Sequence, residues 1–497
     1  MAVIPAEKGI REVEPPASTG LETVFSASSI SLRGSLFWAV GAVVAFHIAY
    51  SSPRLSGFIL AYLICLVQVA RVRTGRQASY IGLGIGLFIA ASQLYCFWTI
   101  FGPSAIALWF VLAFWTAMFV ALARVCLLRF PMRGAVLIPF IWMGLEYFRS
   151  ELYYLRFSWL NVGYAFSQSP LLPIFRPVGM YGVGFICAAL AALFSYALSK
   201  KNWLVAGVVA CLGLSPLILP SSKWTSSPGK TVLVAGVQLE FVSEAEVLAA
   251  LDKLAKLVPD AELFMLSEYT LDGPVPEKIK QWCREHQRYL LVGGKDPAPN
   301  SNFYDTAFVV GPTGELVFSQ GKSVPIQFFK DGLPAREQKL WESPWGKIGI
   351  CVCYDLSYTR VTDRLISLGA QALLVPTMDV VDWGKREHEL HARVAPVRAV
   401  EYGVPIFRVA SSGISQFVDS RGHILAQAGF PGQEQILTGH LEFGNPGTVP
   451  FDRIFAQLSV VVSGMVMAWG LVTSFFVLRR KISASQVNEA ALPSALL

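Results

Sequence analysis

The chain has 497 residues, of which 54% are hydrophobic and only 15% charged, with a formal net charge of +7. A water-soluble fold of that composition would leave large apolar patches exposed, so the balance excludes a single soluble domain and makes a bilayer the expected solvent for part of the chain. The basic residues sit mainly at the ends of apolar runs rather than in one stripe interleaved with aromatics, so no nucleic-acid partner is expected.

Residues 1–34 are polar, contain Pro15 and Pro16, and lack the apolar core and cleavage site of a signal peptide, so they are predicted to be a disordered cytoplasmic tail. A bilayer core of about 30 Å needs about 20 apolar residues per helix. Seven runs qualify, near 35–50, 55–70, 79–101, 104–128, 134–149, 179–199 and 203–220, and an eighth spans 456–478. Residues 35–220 therefore read as a seven-helix transmembrane domain, and 479–497 as a second cytoplasmic tail. Alternate loops carry the positive charge: Arg71, Arg73 and Arg76; Arg124, Arg129 and Arg133; Lys200 and Lys201; Arg479, Arg480 and Lys481. Such loops belong in the cytoplasm, which sends residues 221–455 to the opposite side, the periplasm where a cell has one. Glu146, at membrane depth, is followed by Arg149, Glu151 and Arg156, and is read as half of an interfacial Glu/Arg pair that fixes helix packing. Gly82, Gly86, Gly179 and Gly182 are read as close-packing sites between helices.

Residues 228–448 have the composition of a globular domain, and short β-branched runs alternate there with amphipathic stretches. TVLVAGVQ precedes 243–258, LFMLSE precedes 275–286, RYLLVGG follows, KIGICVCYD precedes 358–368, and ALLVPTM and VPIFRVAS flank 384–402. That alternation predicts a layered α/β domain. TAFVVGPTGELVFSQ and QFVDSRGHILAQ read as hairpins. Gly293 and Gly294, before Lys295, lack the spacing of a nucleotide-binding loop and are expected to end a strand. Five of the eight cysteines lie in apolar runs, so no disulfide framework is indicated.

Cys353 follows the apolar strand IGICVC and precedes YDLSY, which places it where a strand gives way to a helix. Backbone N–H groups at such a junction favour an anion and point toward a developing oxyanion. Glu268 ends LFMLSE and is a candidate general base; Lys322, after the first hairpin, is a fixed cation expected to lower the thiol pKa and stabilise an oxyanion. Cys351 and Cys353 lack partners at zinc-finger spacing, and His388, Glu389 and His391 place the histidines three apart rather than four, so no metal is expected.

The segments LSEYTLDG, GKSVP and CVCYDLSY resemble the three catalytic signatures of the carbon-nitrogen hydrolase (nitrilase) superfamily. The eight apolar runs, with the globular part between the seventh and eighth, are similar to the apolipoprotein N-acyltransferase family, as are LEYFRSELYYLRFSWLNVGYAFSQ, GAQALLVPTMD, RAVEYGVPIFRVASSGIS and DSRGHIL. The resemblance implies a membrane bundle of about eight helices joined to a nitrilase-like α-β-β-α sandwich, in a bacterial inner membrane with the catalytic domain facing the periplasm. It implies transfer of a fatty acyl chain from a membrane phospholipid, through a Cys353 thioester, to the N-terminal amine of diacylglyceryl-cysteine on an apolipoprotein. Glu268 would act as base, Lys322 and the Tyr354 backbone N–H would hold the oxyanion, Asp355 would support them, and no cofactor or metal would be needed. His391 aligns with a family histidine and takes a structural role. Two positions depart from the pattern: Phe328 in VPIQFFKDG stands where a second glutamate is expected, and Trp383 lies two residues beyond Val381, where an aromatic is expected. The alternatives are a membrane-tethered amidase, in which water resolves the thioester, and a non-catalytic transporter or lipid sensor.

Overall fold

The computed structural model describes residues 30–129, 131–220, 229–432 and 434–490. The expected amino-terminal tail lies outside the described residues as far as 29, as do the last residues of the carboxyl-terminal tail and the side chains of Arg129, Arg133, Arg479, Arg480 and Lys481. The first helix begins earlier than predicted. Ile30 bridges Val72, and the Ser31 hydroxyl accepts the Gly34 N–H to cap α1 (Leu32–Ser51).

The apolar runs before the globular part form α1, α2 (Phe58–Val69), α3 (Gly75–Gln93), α4 (Cys96–Phe101), α5 (Ala105–Arg129), α6 (Pro131–Tyr147), α7 (Phe175–Ser199) and α8 (Trp203–Ile218). The eighth run lies in the final helix, Asp452–Ala490. Among the described residues, four stretches are long and apolar enough to cross a membrane: Leu32–Ser51, Cys96–Leu128, Leu172–Ser199 and Asp452–Phe476. The expected count of about eight is therefore not reached on length and composition alone. A 3-10 turn at Pro53–Leu55 delays α2, leaving it 12 residues. The predicted run 79–101 breaks because Leu94 leaves helical geometry, with φ −116° and ψ 39°.

Small residues let these helices approach. A Cβ on Gly82 would lie 2.9 Å from the Ala117 Cα, and one on Gly86 2.6 Å from the Ala113 Cα, so α3 and α5 touch backbone to backbone. Gly179 serves a different purpose, kinking α7 at φ +71°. The helix restarts with the Tyr181 and Gly182 N–H groups donating to Asp452 Oδ2 at 3.0 and 3.3 Å, so the last helix caps the restarted turn.

The globular part holds β1 (Lys230–Val237), α9 (Glu244–Leu257), β2 (Leu263–Met265), α10 (Glu277–His286), β3 (Tyr289–Ala298), β4 (Asn302–Val310), β5 (Leu316–Gly321), β6 (Leu340–Glu342) and β7 (Lys347–Ile350). It continues with α11 (Thr359–Ser367), β8 (Ala372–Thr377), α12 (Lys385–Ala392), α13 (Val394–Tyr402), β9 (Ile406–Ala410), β10 (Ser415–Val418), β11 (Ile424–Ala428) and β12 (Ile436–Phe443), before α14 (Asp452–Ala490). Two six-stranded mixed sheets form, in the orders β12-β1-β2-β3-β4-β5 and β11-β10-β9-β8-β7-β6. Strand periodicity explains the layering. Val234, Leu263, Met265, Leu291 and Val309 share a core with Ile348, Ile350 and Leu373 of the facing sheet. Their neighbours Ala235, Phe264, Leu290, Val292 and Phe308 pack on Leu251, Leu254, Ile279 and Trp282 of α9 and α10. The fold is thus a nitrilase-like α-β-β-α sandwich. Gly293 and Gly294 lie inside β3 rather than at its end, paired with Ala307 and Thr306. A Cβ on Gly293 would meet the Glu268 Cα at 2.5 Å, so a bare strand lets that loop close down.

Buried polar contacts lock the sandwich to the helices. Glu151, in the π-turn Phe148–Leu152 that ends α6, accepts the Thr359 N–H at 2.9 Å and the Tyr181 hydroxyl at 3.0 Å. Glu401 accepts the Met180 N–H at 3.0 Å and pairs with Arg398 and Arg453. Among the described residues Glu146 makes no ion pair within 4 Å, so the expected Glu/Arg pair does not form. Its Oε1 takes the Val162 N–H at 2.8 Å while Arg149 reaches Asn161, so both fix the loop after α6.

Replacing Gly86 by leucine is expected to destabilise the bundle by about 1–3 kcal/mol through overpacking. Gly84→Leu, at a position where an added Cβ would meet nothing within 4 Å, serves as the control and stays within about 0.5 kcal/mol. Denaturation midpoints in detergent compare the two.

Candidate active site

Three strand ends converge where the sheets face one another. Cys353 follows β7 and opens the 3-10 turn Cys353–Ser357 with φ +51°. Glu268 follows β2 and precedes Tyr269 at φ +50°, and Lys322 directly follows β5. A left-handed non-glycine residue costs about 1–3 kcal/mol and persists only where its surroundings fix it. Around the nucleophile turn they do. Arg398, fully buried, donates to the Leu356 and Ser357 carbonyls at 3.2 and 2.9 Å, and the Trp159 indole donates to the Ser357 hydroxyl at 3.0 Å.

Glu268, Lys322 and Cys353 are each no more than 2% exposed. The Lys322 ammonium lies 2.7 Å from Glu268 Oε1, 2.8 Å from Asp331 Oδ2 and 3.3 Å from Asp305 Oδ2. Glu268 Oε2 accepts the Met378 N–H at 2.6 Å, and the Cys353 thiol lies beside the same carboxylate, its own weak hydrogen bond going to the Met378 carbonyl at 3.9 Å. Asp331 is itself held by the Tyr269 hydroxyl at 2.8 Å and the Ile326 N–H at 2.6 Å. A Lys322 cation already fills the space among Glu268, Asp305 and Asp331 where a metal ion would otherwise sit.

One ammonium cannot stabilise every buried acid. Burial, joined by the Glu268 charge, pushes Asp305 well above the usual carboxylate range, so Asp305 keeps its proton. Among the described residues, its oxygens have no donor besides the Lys322 ammonium at 3.3 Å, as suits a protonated carboxyl facing Glu268. Burial raises Glu268 too, but the Lys322 ammonium and the Asp305 hydrogen bond outweigh it, and the carboxylate stays ionised below its ordinary range. Cys353 goes the other way. Burial and the Glu268 charge push its thiol well above the normal cysteine value, more than Lys322 pulls it down. The expectation of a lowered thiol pKa is therefore corrected: Lys322 pulls it down, but burial and Glu268 outweigh that pull, and Cys353 rests as a neutral thiol beside the Glu268 carboxylate.

Asp331, three residues beyond Phe328, brings a further carboxylate to 2.8 Å from the Lys322 ammonium. Asp355 accepts the Ser323 N–H at 3.0 Å and the Val324 N–H at 2.8 Å, which fixes the segment after Lys322; burial pushes its carboxyl up to about 7. Tyr354 follows the nucleophile, its ring edge-on to Trp159 at 5.7 Å. His391 Nδ1 contacts Asp379 Oδ1 at 2.8 Å, the ring stacks on Trp159 at 4.6 Å, and Arg408 holds the other Asp379 oxygen at 2.6 Å. Sequence patterns offered little signal for Asp305, Asp331, Asp379 or Arg408, since an acid inside a strand or a loop reads as solvated until its burial is known.

The thiol opens into a cavity lined by Phe97, Phe101, Leu112, Phe157, Trp159 and Trp383, with the backbone segment 326–329 across it. Its walls come from both halves: α4 and α5 supply one side, the sandwich the other. Phe329 packs on Phe101 at 5.6 Å and on Trp383 at 5.9 Å, so the displaced Trp383 still closes the pocket.

With Glu268 ionised and the thiol neutral, Glu268→Gln is expected to move two observables in opposite directions. Acylation of Cys353 falls about 10²–10⁴-fold for loss of a general base. Alkylation by iodoacetamide at pH 8 speeds up, because removing a negative neighbour leaves Lys322 to favour the thiolate. In the unaltered protein, alkylation shows no inflection below about pH 9. An inflection near neutrality would contradict the neutral-thiol assignment.

Residues 223–449 match the carbon-nitrogen hydrolase family, and residues 34–193 match the apolipoprotein N-acyltransferase N-terminal domain. The apolipoprotein N-acyltransferase of Geobacter metallireducens is 24% identical over 88% of this chain and 95% of its own length. That of Nitrosomonas europaea is 25% identical over 86% and 96%. Among solved structures, Saccharomyces cerevisiae Nit3, of branch 10 of the nitrilase superfamily, covers 43% of this chain and 90% of its own at 23% identity and a TM-score of 0.36. One family pattern spans the helical half, a second spans the sandwich, and the relatives align along nearly their whole length: the chain is a bacterial membrane protein with a carbon-nitrogen hydrolase domain, similar from end to end to the apolipoprotein N-acyltransferases.

Proposed function

We propose that the protein moves a fatty acyl chain from a membrane phospholipid, through a thioester on Cys353, to the N-terminal amine of a diacylglyceryl-cysteine apolipoprotein. The observation that carries this reading is the buried Cys353 thiol, beside the buried Glu268–Lys322 pair, at the end of a mainly apolar cavity walled partly by α4 and α5. A soluble amide would gain nothing from such walls, whereas an acyl chain enters them from lipid without crossing water.

In the first half-reaction Glu268 takes the thiol proton as sulfur attacks the ester carbonyl, and the oxyanion is held by the Tyr354 backbone N–H and the Lys322 ammonium. Collapse breaks the C–O bond, Glu268 returns the proton to the departing alkoxide, and a lysophospholipid leaves. In the second half the amine attacks the thioester, Glu268 accepts a proton from nitrogen, and the C–S bond breaks to regenerate the thiol. The product is an amide. The protein belongs in the inner membrane with the sandwich on the periplasmic side; the arginines at 71, 73 and 76 and Lys200 and Lys201, at the opposite helix ends, support that orientation.

Mass spectrometry after exposure to phospholipid is expected to find one hydroxylamine-labile acyl group, on Cys353. Adding a diacylglyceryl lipopeptide discharges it as N-acyl product, at a rate rising through about pH 8 as the α-amine loses its proton. Release of free fatty acid with no N-acyl peptide would make the protein a hydrolase, and an unlabelled Cys353 with full activity would remove the thioester.

A further inference from the structure

The segment 323–329 has two faces. Ile326, Gln327, Phe328 and Phe329 line the cavity that holds Cys353, while Ser323, Val324 and Pro325 line a second, larger groove on the other side. Gln327 ties the segment to the connection after α6 by donating to the Tyr154 carbonyl at 2.7 Å. Arg156, two residues on, lines both the cavity and the groove. The two spaces therefore meet at one guanidinium.

Six cations line the groove: Arg156, Arg336, Lys339, Lys347, Arg360 and Arg364. Two acids, Glu337 and Glu342, face them, and each is engaged, by Lys339 at 3.7 Å and by Lys347 at 3.2 Å. Among the described residues, the four arginines have no carboxylate within 4 Å, although the protein carries acids enough to pair them. Arg156 and Arg360 stand 5.8 Å from the Tyr358 ring and repel one another across it. The Arg156 Nε is buried without a partner. Such a cluster is destabilising until an anion enters, and guanidinium forks match the oxygens of a phosphate.

We propose that this groove is the headgroup site of the acyl donor, and that it binds the phosphodiester of a phospholipid whose acyl chain lies in the adjoining cavity. The assignment rests on the acyl-donor reading above. It gives Arg156, which lines both spaces, the position nearest the scissile ester, with Arg360 and Arg364 among the groove's other cations. The phosphate is what separates a phospholipid from a diacylglycerol carrying the same chains, so the groove is a device for choosing between donors.

The test compares two donors in mixed micelles, phosphatidylglycerol and diacylglycerol with the same chains, by the rate of Cys353 acylation. In the unaltered protein phosphatidylglycerol is preferred. In the double variant Arg360→Ala, Arg364→Ala the ratio of the two rates is expected to fall about tenfold or more, as for loss of charge-assisted hydrogen bonds. Arg360→Lys, Arg364→Lys retains charge without the fork and falls between. A ratio is insensitive to partial misfolding, which slows both donors alike. An unchanged ratio would overturn the headgroup site, as would a defect confined to transfer from Cys353 onto an acidic lipopeptide, which would assign the groove to the acceptor. Failure of the unaltered protein to acylate Cys353 from either donor would instead overturn the acyltransferase reading itself.

Discussion

A single ammonium group surrounded by three buried carboxylates sets the chemistry of this protein. Lys322 sits among Glu268, Asp305 and Asp331 with 1% of its surface exposed, and no water-filled margin exists to absorb excess charge. Desolvation makes each additional buried charge expensive unless it is paired, so the acids cannot all ionise. Asp305 gives way and keeps a proton; Glu268 stays ionised because it holds the shortest contact to Lys322 as well as the Met378 N–H. In the proposed mechanism the charge that lets Glu268 act as base also keeps the adjacent thiol neutral, so the proton moves only as the carbon–sulfur bond forms. A resting thiolate would be exposed to every passing electrophile. A neutral thiol coupled to its base is reactive mainly toward a carbonyl already seated beside it.

The second constraint is positional. The nucleophile turn carries a left-handed cysteine, and the groups that hold it reach back into the membrane-facing half. Arg398 binds the carbonyls of Leu356 and Ser357, and is oriented in turn by Glu401, which also accepts the Met180 N–H just past the kink at Gly179. Glu151 caps α11, directly after the nucleophile turn, from the end of α6. Buried ion pairs contribute little net stability compared with apolar packing, but they penalise every arrangement in which one partner is displaced. Here that penalty fixes where the sulfur stands relative to the apolar cavity, which the sandwich by itself could not define.

The sandwich was legible in the sequence because two-residue alternation within strands, helical spacing between them and glycine-bearing turns agree at every level. Cys353, Glu268 and Lys322 each stand at or just past a strand end, but none is persuasive alone; their combination, and the resemblance of LSEYTLDG, GKSVP and CVCYDLSY to three family signatures, singles them out. What pattern alone missed has one cause. Asp305 and Asp331 look solvated in DTAFVV and FFKDG, and their burial depends on which strands become neighbours. The direction of the Cys353 shift was misjudged likewise, since attraction to Lys322 was visible in sequence order whereas the desolvation that outweighs it is a property of the packed state. The membrane helices suffered from a subtler ambiguity. Apolar runs announce themselves, but α2 and α8 stop at 12 and 16 residues, and composition does not say where a proline turn or a non-helical leucine will cut a run short.

The segment 323–329 brings these constraints together. Its first residues are pinned by Asp355, two positions beyond the nucleophile, and its middle by Asp331, which shares Lys322 with the base. Phe328 then adopts φ +72°, a strained geometry for a bulky residue, and is 67% exposed while its ring meets Phe101 of α4 at 6.0 Å. An apolar side chain held open at this place contacts lipid or a lipid substrate more favourably than water. The segment thus joins the catalytic charges at one end to the cavity mouth at the other, so that the groups governing proton transfer and the aromatics governing entry cannot move independently.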